Sequence, residues 1–474
     1  MASRARRGAT KALRVLTRPV RRAQGHGGKG RGGLVVEPYR GYGSRDEVFL
    51  IGRVFRQSPG IPGEDPESLR AQWRDLRRRI ARRTIAGAGI TARFGDDAVR
   101  VETDRDGYFR VHLHPRSPPA ETGDWHAVEL RLEADPPIPA EGAVFIPPDR
   151  CRCVVVSDID DTVMRTGVAN KLKMLWRLFV EDAESRVAFP GVAALYRALH
   201  AGAGGDEGNP MLYVSRAPWG LYEMLSEFFQ RHGIPAGPVL FLREWGLSWT
   251  HPLPRRATDH KHALIRHMLA LYRDLPFVLI GDSGQHDPEV YAQIVEENPG
   301  RVLAVYIRNV SRGSARVEEI VRLAGAVARA GSSLVLAADS VAMAEHAAAI
   351  GLIAPGAVTG VADEHAAAAE TGPRRETARI TPEPSGVAGV AEDPIGPEAI
   401  AEALAGDGAV PATLVVEPET PAALPAARCV NARPRSSPGR LSRAARSDRY
   451  RPSAAGTRLD GSRNGLPWEE SRCA

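Results

Sequence analysis

Five short apolar runs, each unbroken rather than alternating, constrain this chain most: Cys153–Ser157, Met211–Val214, Val239–Leu242, Phe277–Gly281 and Val302–Ile307. A strand with one solvated face alternates polar and apolar residues, whereas an unbroken run fits a strand covered on both faces. Longer polar–apolar segments separate the runs. From about residue 151 the chain therefore reads as strand–helix alternation around a parallel sheet. The predicted class is α/β, a Rossmann-like parallel sheet.

The first run ends in carboxylates, Val154-Val155-Val156-Ser157-Asp158-Ile159-Asp160-Asp161-Thr162. In a parallel sheet ligands bind at the carboxyl ends of the strands. Charged groups there are costly to bury unless they meet a cation or a reacting group. At this spacing Asp158 can attack phosphorus and form an acyl-phosphate, and Asp160 can act as acid and then base. The same edge suits Mg²⁺, which takes one or two carboxylates, a phosphate oxygen and waters. The plainer reading is an acidic cap on the following helix. Three further pieces follow in order. Ser215 ends the second run, Lys261 follows Asp259 and His260 ahead of a helical stretch, and Asp282 and Asp287 follow the fourth run. A hydroxyl and an ammonium can hold phosphate oxygens, and the two carboxylates can hold metal. Singly, Ser215 and Lys261 are ordinary surface residue types.

In this order the pieces resemble the DxDxT type of the haloacid dehalogenase superfamily, over about residues 151–310. The segments SDIDDTV, YVSRAPWGLYEML, DHK and FVLIGDSGQHDPEVYAQIVEENPGRVLAVYIRNV resemble the actin patch protein family of Mg²⁺-dependent phosphatidate phosphatases. Residues 338–353 resemble the end of that catalytic domain, so the likeness covers about 200 of 474 residues. It implies Asp158 as nucleophile and Asp160 as acid/base, with Thr162, Ser215 and Lys261 contacting phosphate. It also implies Mg²⁺ held among Asp158, Asp160, Asp282 and Asp287. The implied reaction is hydrolysis of phosphatidate to diacylglycerol and phosphate. Another phosphomonoester as substrate, or a phosphatidate-binding module without turnover, are the alternatives.

Upstream, the texture changes. Val48–Phe55, Ile90–Phe94, Val99–Glu102, Tyr108–Leu113, Trp125–Leu132 and Val144–Ile146 are β-rich runs separated by turn signals, which predicts a β-sandwich-like domain over 35–150. The segment TDRDGYFRVHL is similar to turns of transthyretin-like sandwiches. An Arg-rich helix over about 69–83 interrupts these runs, with Leu69, Trp73, Leu76 and Ile80 on one face. The Gly-rich stretch Gly25–Gly33 reads as a hinge after a basic, disordered tail, residues 1–34. The catalytic domain spans 151–355, and a disordered Ala/Pro/Gly/Arg-rich tail spans 356–474. Cys151 and Cys153 flank a single residue, a spacing that fits two reduced thiols at the start of a buried strand.

The net charge of +6 excludes little, but its distribution matters. Residues 4–31 carry ten Lys or Arg and no acidic residue precedes Glu37, which suits a transit segment, an anionic-surface anchor or a solvated tail. No apolar stretch is long enough to span a bilayer. Only about fifty residues separate the nucleophile motif from Ser215, too few for a large cap over the site. An open site suits a phosphate displayed on something large. Val168, Leu172, Leu175, Trp176 and Phe179 form an apolar stripe beside Lys171, Lys173 and Arg177, either core packing or a lip that meets an anionic interface. Trp245, Trp249, Arg255 and Arg256 extend that choice. The expected partner is thus a phosphorylated lipid, with a cytoplasmic chain able to sit peripherally at a membrane. The Arg-rich ends lack interleaved aromatics, so no specific nucleic-acid partner is expected.

Overall fold

The computed structural model describes residues 27–30, 33–57, 82–117, 123–159, 162–163, 189–215, 219, 222–241, 257–310, 314–370 and 413–425. The expected helix over 69–83 and the stripe around Trp176 lie outside these residues. So do Trp245, Trp249, Arg255 and Arg256, and both Arg-rich ends apart from Lys29. Arg83, expected at the end of that helix, lies instead in a strand. Among the described residues no helix is long and apolar enough to cross a membrane.

Among the described residues ten strands precede residue 150: β1 (Gly28–Lys29), β2 (Leu34–Pro38), β3 (Gly41–Gly43), β4 (Val48–Arg56), β5 (Arg83–Thr84), β6 (Gly89–Phe94), β7 (Asp97–Glu102), β8 (Tyr108–Leu113), β9 (Trp125–Leu132) and β10 (Ile138–Phe145). Hydrogen bonds join all ten into one sheet. Its pairs are antiparallel except β3 with β10. Alternating residues, Val128, Leu130 and Leu132 on β9 among them, meet Leu50, Val54, Phe109 and Val111 in a single apolar cluster. Gly28 and Lys29, expected in the hinge, already pair with β2.

The unbroken runs form the second sheet. Its strands are β11 (Val154–Asp158), β12 (Met211–Ser215), β13 (Val239–Phe241), β14 (Phe277–Asp282), β15 (Val302–Arg308), β16 (Ser333–Ala337) and β17 (Leu414–Val416). They stand in the order β13-β12-β11-β14-β15-β16-β17. The first six are parallel, and every residue of those six is buried. Helices cover both faces. On one lie α1 (Val192–Ala201), α2 (Tyr222–Arg231), α6 (Ser340–Ala349) and α7 (Ala357–Glu370). On the other lie α3 (Ala257–Leu271), α4 (Asp287–Glu297) and α5 (Ser314–Arg329). The chain builds outward from β11 to β12 and β13, then restarts beside β11 with β14. This reversal opens a crevice at the carboxyl ends of β11 and β14, where doubly wound sheets bind ligands.

Residues 357–370 and 414–416 depart from the disorder expected after Pro355. Val361 of α7 is fully buried against the sheet-facing helices, and Glu364 accepts from the Ala194 amide and pairs with Arg197. Leu414 and Val416 are buried, and β17 adds antiparallel to β16. An Ala- and Pro-rich composition hides such short apolar anchors. β16 itself, Ser-Leu-Val-Leu-Ala, is a buried strand that the sequence reading passed over. Cys151 and Cys153 are buried free thiols, as expected, and burial pushes the Cys153 thiol up to about 12.

The two sheet regions meet through aromatic and charged groups. Tyr39 stacks on Trp219 at 5.0 Å and against Tyr222 at 4.3 Å, while the Arg40 amide donates to the Tyr222 hydroxyl. Arg82 lies over the Phe55 ring, 3.2 Å from Glu37 Oε2, and donates to both carboxylate oxygens of Glu223 on α2 at 2.7 Å. Burial, then a hydrogen bond and repulsion from Glu223, raise Glu37 well above the carboxylate range despite Arg82 and Arg53. Glu37 thus holds its proton more tightly than an ordinary carboxyl, beside Arg82 and Glu223. A carboxyl raised in the folded state stabilises fully below its unfolded pKa, and that stability fades as pH rises toward the folded value, here about 9. Glu37→Gln should therefore flatten a loss of stability between about pH 5 and 9, with a slope no steeper than about 1.4 kcal/mol per pH unit. Urea unfolding at stepped pH would check it; parallel curves for variant and wild type would contradict it.

Candidate active site

Asp158 is the last residue of β11 and faces the crevice with no exposed surface. Register places Val214 of β12 beside it and Ile280 of β14 beside Ser157, so Ser215 and Asp282 end their strands at the same edge. Ser215, Lys261, Asp282 and Asp287 are all buried too. Lys261 arrives from the other side, on α3 and within the helix rather than ahead of it. Its ammonium donates to Asp158 Oδ1 at 2.7 Å and to Asp287 Oδ1 at 2.5 Å, with the Tyr291 ring 5.7 Å away.

Burial, the largest influence on Lys261, lowers its pKa, but Asp158 and Asp287 outweigh it and hold the ammonium above its ordinary value. One ligand atom each from Asp158, Asp282 and Asp287 lies within 4.8 Å of the other two. Asp282 Oδ1 accepts from the amides of Gly284 and Gln285, and Oδ2 from the Gln285 side chain. Asp287 opens α4 and packs so tightly on β14 that a Cβ on Gly281 would come within 2.4 Å of its Oδ2. Glycine is required there by that approach.

Three buried carboxylates around one ammonium leave surplus negative charge, which favours a cation. The donors are hard oxygens, of the kind that suits a small divalent ion. The Thr162 hydroxyl is fully buried and has no hydrogen-bond partner among the described residues, so it can donate to an oxyanion. Asp160, assigned the acid/base role, lies outside the described residues. The crevice thus brings together Asp158, Lys261, Asp282 and Asp287, with Ser215 and Thr162 on the adjoining strand end and turn.

Supporting residues went unnoticed in the sequence. Ser157 Oγ is 2.6 Å from the Tyr196 hydroxyl and donates to the Asp158 carbonyl, bracing the end of β11. Tyr291 donates to the Ile280 carbonyl at 3.0 Å beneath Lys261. Arg308 ends β15 buried, donating to Ser340 Oγ at 2.8 Å with its guanidinium 4.3 Å from the Phe189 ring centroid. An arginine closing an otherwise apolar run was the one signal available for it.

A doubly wound α/β domain with a carboxylate–lysine cluster at its switch point is the class that fold and site define. Residues 153–309 match the family model described as "Phosphatidate phosphatase APP1, catalytic domain". Phosphatidate phosphatase APP1 of Saccharomyces cerevisiae is 32% identical over 164 residues, 34% of this chain and 27% of that protein. An uncharacterized protein of Schizosaccharomyces pombe is 28% identical over 162 residues, 34% of this chain and 26% of its own length. The chain thus spans about a quarter of the length of the curated relatives it matches. A solved carbohydrate acetylesterase from Xanthomonas citri overlaps at 11% identity, 61% of this chain and 72% of that one, with a TM-score of 0.21, too low to bear on the fold.

Breaking a buried pair by removing one partner costs about 3–5 kcal/mol. Lys261→Met should cost that much in urea unfolding without divalent ions. Adding Asp287→Asn should recover part of it, because one stranded charge goes. No recovery in the double variant would mean that the ammonium does not offset Asp287.

Proposed function

We propose that this chain is a Mg²⁺-dependent, haloacid dehalogenase-type phosphatase that hydrolyses phosphatidate to diacylglycerol and phosphate through an aspartyl-phosphate on Asp158. The observation that carries the reading is the buried Lys261 ammonium between Asp158 and Asp287, at the switch point of a segment related to phosphatidate phosphatase catalytic domains. A buried carboxylate paired to an ammonium stays ionised, which an attacking oxygen requires.

In this reading the phosphomonoester enters the crevice with its oxygens toward Lys261 and the hydroxyls of Ser215 and Thr162. An Asp158 carboxylate oxygen forms a bond to phosphorus as the bond to the diacylglycerol oxygen breaks. Asp160 donates its proton to that leaving oxygen. Asp160, now a carboxylate, takes a proton from water, whose oxygen attacks the acyl-phosphate phosphorus and releases phosphate and Asp158. Asp158, Asp282 and Asp287 would hold Mg²⁺, which would supply charge neutralisation at the phosphoryl oxygens, and Asp160 is a further candidate carboxylate for it. The Lys261 ammonium also offsets phosphoryl charge and keeps Asp158 oriented through its hydrogen bond.

We read residues 35–150 as a β domain ahead of a catalytic domain that starts at 151 and takes in α7 and β17 beyond the expected boundary at 355. The basic tail and the Trp176 stripe bring the site to an anionic bilayer, each Lys or Arg near the surface contributing about 1 kcal/mol. No specific nucleic acid is involved.

Purified full-length protein on phosphatidate vesicles should release phosphate only with Mg²⁺, and Asp158→Asn should lose activity on the order of 10³-fold or more. Phosphate release from soluble phosphomonoesters but not from phosphatidate would move the substrate class. Vesicle binding without release at any Mg²⁺ level would instead indicate a lipid-binding module, and full activity in excess chelator would remove the assigned role of Asp282.

A further inference from the structure

A second group of metal-type ligands lies outside the carboxylate cluster, on the antiparallel pair β4–β8. Val48 pairs with Leu113 and Phe49 with His112. Val48 and Leu113 point into the apolar core, so Phe49 and His112 face outward. Glu47 directly precedes β4 and His114 directly follows β8, one residue beyond the last recorded pair. The pairing thus gathers Glu47, His112 and His114 around Phe49.

The side chains already converge. Glu47 Oε2 is 3.2 Å from His112 Nε2, and the His112 and His114 rings lie 4.5 Å apart. One ligand atom of each residue comes within 4.8 Å of the other two. At zinc bond lengths of about 2.0–2.2 Å, ligand atoms in a tetrahedral shell sit about 3.3 Å apart. The Glu47–His112 spacing matches that value, and His114 needs only a side-chain adjustment. Phe49 stacks on the His112 ring at 4.3 Å and is itself braced by Tyr42 at 5.2 Å and edge-on by His267 of α3 at 5.3 Å. That backing fixes the His112 ring plane, which lowers the ordering cost of ligation.

We infer that Glu47, His112 and His114 form a zinc-type site, with the fourth position open to water. Two imidazoles, borderline donors, joined by one carboxylate suit Zn²⁺ and serve Mg²⁺ poorly, whereas the all-carboxylate cluster of hard oxygens suits Mg²⁺. The two clusters therefore sort ions by donor chemistry. Nothing in the proposed phosphatase reaction requires this second ion.

The experiment uses full-length, tag-free protein stripped with chelator and then dialysed against Zn²⁺ in excess Mg²⁺, so that carboxylate-only sites are filled by Mg²⁺. Wild type should bind one Zn²⁺ per chain more than His112→Gln/His114→Gln. Glu47→Gln alone should weaken binding by on the order of 10-fold or more, since even outer-shell losses cost about 10–100-fold. Because none of the three residues is buried, the variants should keep the wild-type circular dichroism spectrum. Should the double variant misfold, Glu47→Gln and the visible spectrum of Co²⁺-loaded wild type, which distinguishes imidazole from all-oxygen ligation, decide the matter. Equal Zn²⁺ content in wild type and folded variants, or a Co²⁺ spectrum of oxygen ligation alone, would overturn the site.

Discussion

The Lys261 ammonium, held with almost no solvent contact between Asp158 and Asp287, is the interaction on which the rest depends. It joins three elements remote in sequence: the end of β11, the second turn of α3 and the start of α4. A buried ion pair contributes little net stability compared with an apolar replacement, but it severely penalises any packing that separates its partners. The cluster therefore specifies how α3 and α4 seat on the sheet. In return, the sheet's reversal between β12 and β14 supplies the one edge where these groups converge. Fold and site are coupled through one cation.

The parallel core was legible because burial on both faces leaves a mark in one dimension, an unbroken apolar run. Asp158, Ser215, Asp282 and Asp287 could be placed because each follows such a run or the turn after it. Lys261 could be named but not seated, since nothing local tells whether a lysine precedes a helix or lies within it. Arg308, Tyr196 and Tyr291 escaped notice because their importance lies in what they touch across the sheet, such as Ser340, Ser157 and the Ile280 carbonyl. β-rich runs and the turn signals between them located most of the described strands of the first region, yet they could not reveal that these strands share one hydrogen-bonded sheet. That depends on β3 bridging β4 and β10, and β3 is three residues long.

The contact between the two regions shows how charge is tolerated at a buried seam. Arg82 is a cation lying on an aromatic ring, and it meets both Glu223 and Glu37. Burial and the neighbouring Glu223 raise the proton affinity of Glu37 against the pull of Arg82 and Arg53. Around this group, Tyr39, Trp219, Tyr222 and Tyr108 supply apolar area with hydroxyls at its margins.

β17 has a different kind of consequence. Parallel sheets end in strands whose outer amides and carbonyls are unpaired, and an apolar edge of that sort invites another chain to add on. Leu414–Val416 pairs with that side of β16 and runs opposite to it, so a segment far along the chain serves as a built-in edge guard. A proteolytic cut between residues 371 and 412, followed by loss of the downstream piece, would leave every residue of the carboxylate–lysine cluster in the remaining fragment. It would also lay bare Leu334, Val335 and Leu336 along an open edge. Such a fragment could retain its chemistry and yet be lost to self-association, so the far end of the chain governs colloidal behaviour without touching the crevice.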